Sequence, residues 1–194
     1  MTDLFPPPGG FYDCGAQELA PRLIGCTLRR QLPGGPVAGI IVETEAYTSD
    51  DPASHSYRGR TRRNEPMFLG GGLMYVYLIY GMHRCFNVTA GPPGSGQAVL
   101  VRALEPTEGL GLMRLNSPRL PDGMLCRGPG RLCRSLGIGL ELSGEAIGGE
   151  VAILMRGTSG THPVASGRRI GITRGRERRW RFTMEGSRWL SRPG

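Results

Sequence analysis

Short apolar runs broken by turn residues set the pattern of this chain, and the sharpest is Ile40 to Tyr47, Ile-Ile-Val-Glu-Thr-Glu-Ala-Tyr. Its β-branched opening predicts a strand that enters from the core. Side chains alternate along a strand, so Glu43, Glu45 and Tyr47 share one face, and Val42, Thr44 and Ala46 take the other. Cys26 to Gln31 predicts a preceding strand, returned by the turn Pro33-Gly34-Gly35-Pro36 into Val37 to Glu45. Leu73 to Tyr80 and Cys85 to Thr89, joined across Gly81-Met82-His83-Arg84, predict a β-hairpin. In it Tyr75 and Tyr77 share a face, and Tyr80 and Met82 lie at the tip. Gln97 to Glu105 and Val151 to Met155 predict two more strands.

Helical signals are fewer. Asp13 reads as the cap of a helix running to about Ile24, with Leu19, Leu23 and Ile24 inward, Gly25 as the stop and a kink or two short turns at Pro21. Thr107 reads as the cap of a helix carrying Leu110, Leu112 and Met113, and Ser117 to Met124 as loop. A helical turn from Arg131 to Leu136 follows Gly128-Pro129-Gly130. Residues 1–10, rich in proline and glycine, predict a loose arm ahead of one domain over 11–194.

Composition adds constraints. With 32 glycines and 16 prolines, about a quarter of the chain, many turns and short elements are expected, while 39% hydrophobic residues suffice for a packed core. No apolar run of about 18 residues and no basic-then-apolar leader is present, so neither a membrane span nor a signal peptide is expected. The net charge of +8 points to a polyanionic partner, most simply nucleic acid. All 24 basic residues are arginine. Genomic base composition accounts for much of that bias, but the absence of lysine closes Schiff-base chemistry except at the N-terminal amine. Five cysteines without a Cys-x-x-Cys pair predict neither a disulfide framework nor a zinc site, but reduced thiols of a cytosolic or nuclear protein. His55, His83 and His162 have no metal-ligand spacing.

Candidate chemistry gathers around Glu43 and Glu45. A carboxylate at the end of a buried strand has the raised pKa of a general base unless it is paired, and the same spacing fits two glutamates neutralised by arginines at a sheet edge. Arg102, inside an apolar strand, calls for a carboxylate partner, with Glu43 and Glu45 as candidates. The polar stretch Thr48 to Pro66 holds His55, Arg58, Arg60, Arg62, Arg63 and Asn64; it reads either as a loop that tracks a phosphate backbone or as a solvated one. Tyr80 with Met82 makes an apolar wedge suited to entering a base stack. The amides ahead of Arg131 suit a phosphate. From Arg168 onward nine arginines face two acids, which reads as a turn and last strand on the nucleic-acid side or as a solvated charge run.

Several motifs in one order carry a resemblance: Val-Glu-Thr-Glu-Ala-Tyr at 42–47, Ala-Ser-His at 53–55, Thr-Arg-Arg-Asn at 61–64, Tyr-Val-Tyr-Leu-Ile-Tyr-Gly-Met at 75–82, Arg-Ala-Leu-Glu-Pro at 102–106 and Arg-Phe-x-x-x-Gly-Ser at 181–187. From about Phe11 to Ser191 the chain resembles the alkyladenine (3-methyladenine) DNA glycosylase family. That resemblance implies an α+β fold: one domain with a curved antiparallel sheet, flanking short helices and a protruding hairpin that enters DNA. It implies a monomer that flips a damaged purine from double-stranded DNA and excises it by hydrolysis, leaving an abasic site. Substrates implied are 3-methyladenine and 7-methylguanine, with hypoxanthine and ethenoadenine left open.

By position, Glu45 matches the general base and Arg102 the arginine that holds it and its water. Tyr47, His55 and Tyr77 match the walls around the flipped base, and Asn87 the residue that crowds guanine's 2-amino group. Backbone groups of Ala53 and His55 match those reading the base edge. Tyr80, with Met82, matches the side chain filling the vacated stack. Arg58, Arg60, Arg63 and Arg131 are candidate contacts to the DNA backbone. No metal or organic cofactor and no membrane is implied, and a bacterial cytoplasm or nucleoid is the expected setting. Two rivals are a catalytically silent damage binder with the same pocket and an RNA-binding β module that stacks bases on Tyr75 and Tyr77.

Overall fold

Among the described residues every strand pairing is antiparallel, and the pairings join nine strands in one sheet. The computed structural model describes residues 4–156 and 162–192. In chain order these form β1 (Leu4–Phe5), α1 (Ala16–Arg22), β2 (Thr27–Leu32), β3 (Gly35–Tyr47), β4 (Met74–Ile79), β5 (His83–Ala90), β6 (Gln97–Glu108), α2 (Leu110–Asn116), α3 (Pro129–Ser135), β7 (Val151–Arg156), β8 (Val164–Gly167) and β9 (Arg181–Met184). Single 3-10 turns lie at Glu65–Phe68, Asp122–Met124 and Leu140–Leu142. The sheet order is β1-β7-β2-β3-β6-β5-β4. The expected α+β class is what forms.

β3 is the longest strand, and its length has a structural consequence. β2 pairs with its first half, through Ile40, and β9 pairs with Glu43 to Glu45 on the edge that β2 leaves open. β6 runs along the other edge, but the register slips once between Ala38 and Gly39 and twice more around the glutamates: Ile41 faces Leu104, Glu43 faces Ala103 and Thr44 faces Val101. Val42 and Arg102 are the extra residues, so a bulge falls where the two glutamates lie.

Period-two alternation sorts the sheet into two faces. Ala46, Val76, Phe86, Val88, Val99 and Val101 join the main core with Leu19, Ala20, Met113 and Leu132 of the three helices. Their strand neighbours Tyr47, Tyr75, Tyr77, Asn87, Leu100 and Arg102 line a cleft on the other face. Thr44, on the helix side, donates to the Ala20 carbonyl of α1 at 2.9 Å.

Several local expectations need correction. Asp13 does not cap α1. Gly15 is its N-cap, and the Ala16 amide is satisfied instead by the Gln97 side chain, which reaches it across 81 residues at 2.9 Å. The helix does not break into two turns, and it ends at Arg22, short of Ile24. Pro21 stays inside it because the carbonyl it leaves without a donor belongs to exposed Gln17, where water can serve. Thr107 continues β6, and Gly109, at φ 74°, starts α2 in its place. α3 begins two residues early, at Pro129, whose fixed φ suits a first helical turn. Within the expected loose arm, Leu4 and Phe5 pair with Arg156 and Met155, while residues 1–3 lie outside the described part.

Candidate active site

Two buried carboxylates and one arginine stand under the cleft. Glu43 and Glu45 have no exposed surface, and Arg102 bridges them: Nε donates to Glu43 Oε1 at 3.1 Å and Nη1 to Glu45 Oε2 at 3.3 Å. Bridging is possible because Arg102 is the bulged residue of β6, displaced from strict register opposite β3. The glutamates lie in the middle of the sheet, not at an edge.

Their surroundings differ. Glu43 accepts from Arg181 Nε at 2.8 Å, from the Ser191 hydroxyl at 2.8 Å and from the Ser191 amide at 2.6 Å, in addition to Arg102. Glu45 accepts at Oε2 from the Tyr47 hydroxyl at 2.8 Å and at Oε1 from one donor, the Ile170 amide, at 2.7 Å. Burial raises the Glu45 pKa above the usual carboxylate value, against the pull of Arg102, the Ile170 amide and the Tyr47 hydroxyl. Arg102 is held charged by the two carboxylates although burial works against it.

Above them lies a cleft of about 1150 Å³. Tyr47, Ala53, His55, Tyr75, Tyr77, Asn87, Arg102 and Ile170 all line it. His55 packs edge-on to Tyr77 with centroids 4.4 Å apart, and its Nδ1 lies 2.7 Å from the Tyr75 hydroxyl. Burial, then the charge of Arg63, lowers the His55 pKa, which favours a neutral imidazole. The Tyr75 hydroxyl, pushed up by burial to about 12, stays protonated. Asn87 is fixed by donating to the Tyr75 carbonyl at 2.8 Å. The Ala53 amide is occupied by Asp51 Oδ1 at 3.1 Å and the His55 carbonyl by Asn64 at 2.8 Å. The Ala53 carbonyl and His55 amide have no partner among the described residues.

Seven arginines line the cleft and, among the described residues, no carboxylate does. Arg58 and Arg131 are two of them. Arg60 and Arg63 are elsewhere: Arg60 pairs with Glu65, and Arg63 donates to the Leu78 carbonyl at 3.0 Å while lying 5.2 Å over the Tyr77 ring. Tyr80, 81% exposed, reaches the cleft from the hairpin tip, and Met82, 66% exposed, stands beside it. Tyr80 and Gly81 take φ of 53° and 69°, with the Met82 amide bonded back to Ile79, the geometry of a type I′ turn.

The arginine-rich end is not uniformly turned to solvent. Arg181 is buried on Glu43, and Arg169 is buried on Asp51. Of these ligands only Arg181 had a legible signal, a charge flanked by Trp180 and Phe182, the same clue that marks Arg102. Ile170 acts through its backbone, which no side-chain pattern reveals.

A model of the family described as methylpurine-DNA glycosylase matches residues 10–188. The chain belongs to the methylpurine-DNA glycosylase family. Curated relatives bear the name "Putative 3-methyladenine DNA glycosylase". One from Rubrobacter xylanophilus is 48% identical over 167 residues, covering 86% of this chain and 87% of its own. One from Rhodopseudomonas palustris is 47% identical, with 94% and 86% covered, and one from Agrobacterium fabrum is 41% identical, with 99% and 96% covered. The protein is a DNA glycosylase of DNA repair, and the acid-free arginine cleft is consistent with DNA as its substrate.

Proposed function

We propose that this glycosylase excises alkylated purines, 3-methyladenine and 7-methylguanine, from duplex DNA by hydrolysis, with Glu45 as general base. The observation that carries the reading is the unequal pair under the cleft: Glu43 accepts four hydrogen bonds, one of them from Arg181, which does not line the cleft, whereas Glu45 accepts three, from Arg102, Tyr47 and the Ile170 amide, all of which line it. The flipped nucleotide enters the aromatic cleft, and electron-poor or cationic purines gain from stacking on Tyr47, His55 and Tyr77. The N-glycosidic bond breaks with its electron pair passing to the base, which neutralises an alkylated purine. Glu45 takes a proton from water as the water bonds to C1′, and its charge stabilises the oxocarbenium-like sugar. Arg102 holds Glu45 in place, Asn87 limits the space at the purine 2-position, and the Ala53 carbonyl and His55 amide read the base edge. Tyr80 fills the gap in the duplex, supported by its exposure, with Arg58 and Arg131 toward the backbone.

The absence of lysine supports a monofunctional enzyme that leaves the strand uncut, since strand cleavage through a Schiff base needs an amine. We place it as a monomer acting on the chromosome inside a bacterial cell; the relatives named above come from bacteria.

Single-turnover excision from duplexes carrying 3-methyladenine, 7-methylguanine or hypoxanthine tests this, with wild type and Glu45→Gln compared and abasic sites revealed by alkali. Wild-type excision of the methylated bases that is lost in Glu45→Gln, while lesion binding persists, is the expected result. Lesion binding without excision by wild type would make the protein a silent damage binder and overturn the reading.

A further inference from the structure

We propose that the buried Asp51–Arg169 ion pair is a positioning couple for Glu45, clamping the segment that presents the Ile170 amide to Glu45 Oε1. The inference rests on the assignment of Glu45 as the base.

Arg169 does not line the cleft, and its side chain and that of Asp51 have no exposed surface. Its guanidinium ties three parts of the chain together. Nη1 donates to Asp51 and to the Ala46 carbonyl of β3 at 3.0 Å. Nη2 donates to Asp51 Oδ1 at 3.0 Å and to the Gly175 carbonyl at 3.2 Å. The guanidinium also lies 4.7 Å from the Tyr47 ring centroid and 5.3 Å from that of Trp180. The turn is tightly seated: a Cβ on Gly175 would meet Asp51 at 2.8 Å and Arg169 at 3.1 Å. Ile170 is the next residue, so a fixed Arg169 fixes its amide, 2.7 Å from Glu45. Asp51 meanwhile holds the Ala53 amide at 3.1 Å, so one ion pair joins the His55 loop to the Ile170 segment.

Stability alone gives no reason for such a pair. Apolar replacements of buried ion pairs are often equally stable, and here Arg169 Nε is buried without a partner among the described residues. What the pair secures is orientation. The charged or titratable groups around Glu45 are Arg102 from β6, Glu43 and Tyr47 from β3, Arg181 opposite it in β9, Tyr77 from β4, Cys85 from β5 and Arg169 itself. Arg169→Lys retains the charge and loses the fork, and so isolates the clamp from the charge.

The test is the pH profile of single-turnover 7-methylguanine excision, from about pH 5 to about pH 8, for wild type, Arg169→Lys, Asp51→Asn/Arg169→Met and Glu45→Gln. The N7-methyl group fixes the charge of the base across the acid limb, so that limb reports the enzyme. A carboxylate that loses a hydrogen bond binds its proton more tightly. The acid limb should therefore move up by about one pH unit in the double variant, a roughly tenfold rate loss on that limb, with less than about threefold loss above it. Arg169→Lys should move it the same way by less, and being charge-conserving it decides the matter if the double variant folds poorly. A limb at the wild-type pH in the folded variants, whatever their absolute rates, overturns the proposal, as does a wild-type profile without an acid limb. Excision retained by Glu45→Gln removes the base assignment and this proposal together; an inactive Glu45→Gln beside an unmoved limb removes this proposal alone.

Discussion

Replacing Glu43 and Glu45 in turn by glutamine should separate one structural carboxylate from one chemical one. Glu43 accepts four hydrogen bonds, two of them from the guanidiniums of Arg102 and Arg181, with no exposed surface. Removing its charge leaves the two arginines short of a counter-charge in a dry cluster. Breaking a buried pair costs about 3–5 kcal/mol, and because glutamine keeps one acceptor oxygen the lower end, about 3 kcal/mol, applies. For a chain of this length that lowers the melting temperature by about 6–12 °C. Excision should fall only roughly tenfold, since Arg102 keeps Glu45 and Ser191 as partners. Glu45 behaves in the opposite way. Burial raises its folded-state pKa, so its contribution to stability is present below the unfolded value and is lost as pH rises through the folded one. At neutral pH its ionised form is a liability to the fold, and Glu45→Gln should melt within about 2 °C of wild type or higher. Its excision rate should fall by about 10²–10⁴, the usual worth of a general base. Circular-dichroism melting beside single-turnover excision reads both quantities. A Glu43→Gln variant as stable as wild type but inactive, or a Glu45→Gln variant that melts about 10 °C lower yet stays active, would exchange the two roles and refute the reasoning.

His55 should titrate in NMR with a midpoint below the ordinary 6.5, because burial first and Arg63 second disfavour its cation. The stability tied to its neutral form is then present above the unfolded value and lost as pH falls through the folded one, and a midpoint at or above 6.5 would contradict this packing. Tyr80→Gly should not lower the melting temperature, since Tyr80 is the one non-glycine residue at positive φ among the described residues and glycine takes that conformation freely. The same change should weaken binding to a lesion duplex by about ten- to a hundredfold, the worth of one lost stacking partner, and unchanged affinity would remove Tyr80 from the DNA interface.

The features legible in the amino-acid pattern were local and periodic. A strand repeats every two residues, so Glu43, Glu45 and Tyr47, and Tyr75 with Tyr77, each took their face from the pattern within their own run. The hairpin, its exposed tip and the need of Arg102 for a carboxylate were legible for the same reason. The cap assignments at Asp13 and Thr107 were equally local and failed, because Gln97 from a distant strand and a left-handed glycine met those needs instead.

Which glutamate keeps all its partners at the cleft is settled by long-range packing. Both lie on one face two residues apart, with the same local environment. They are told apart by partners far away in the chain: Arg181 and Ser191 are 138 and 148 residues from Glu43, and the Ile170 amide is 125 residues from Glu45. The β3–β6 bulge that lets Arg102 touch both, and the Asp51–Arg169 pair across 118 residues, arise in the same way. Periodicity assigns a side chain to a face. Burial makes the donors it meets there decisive, and the folding of distant segments selects those donors.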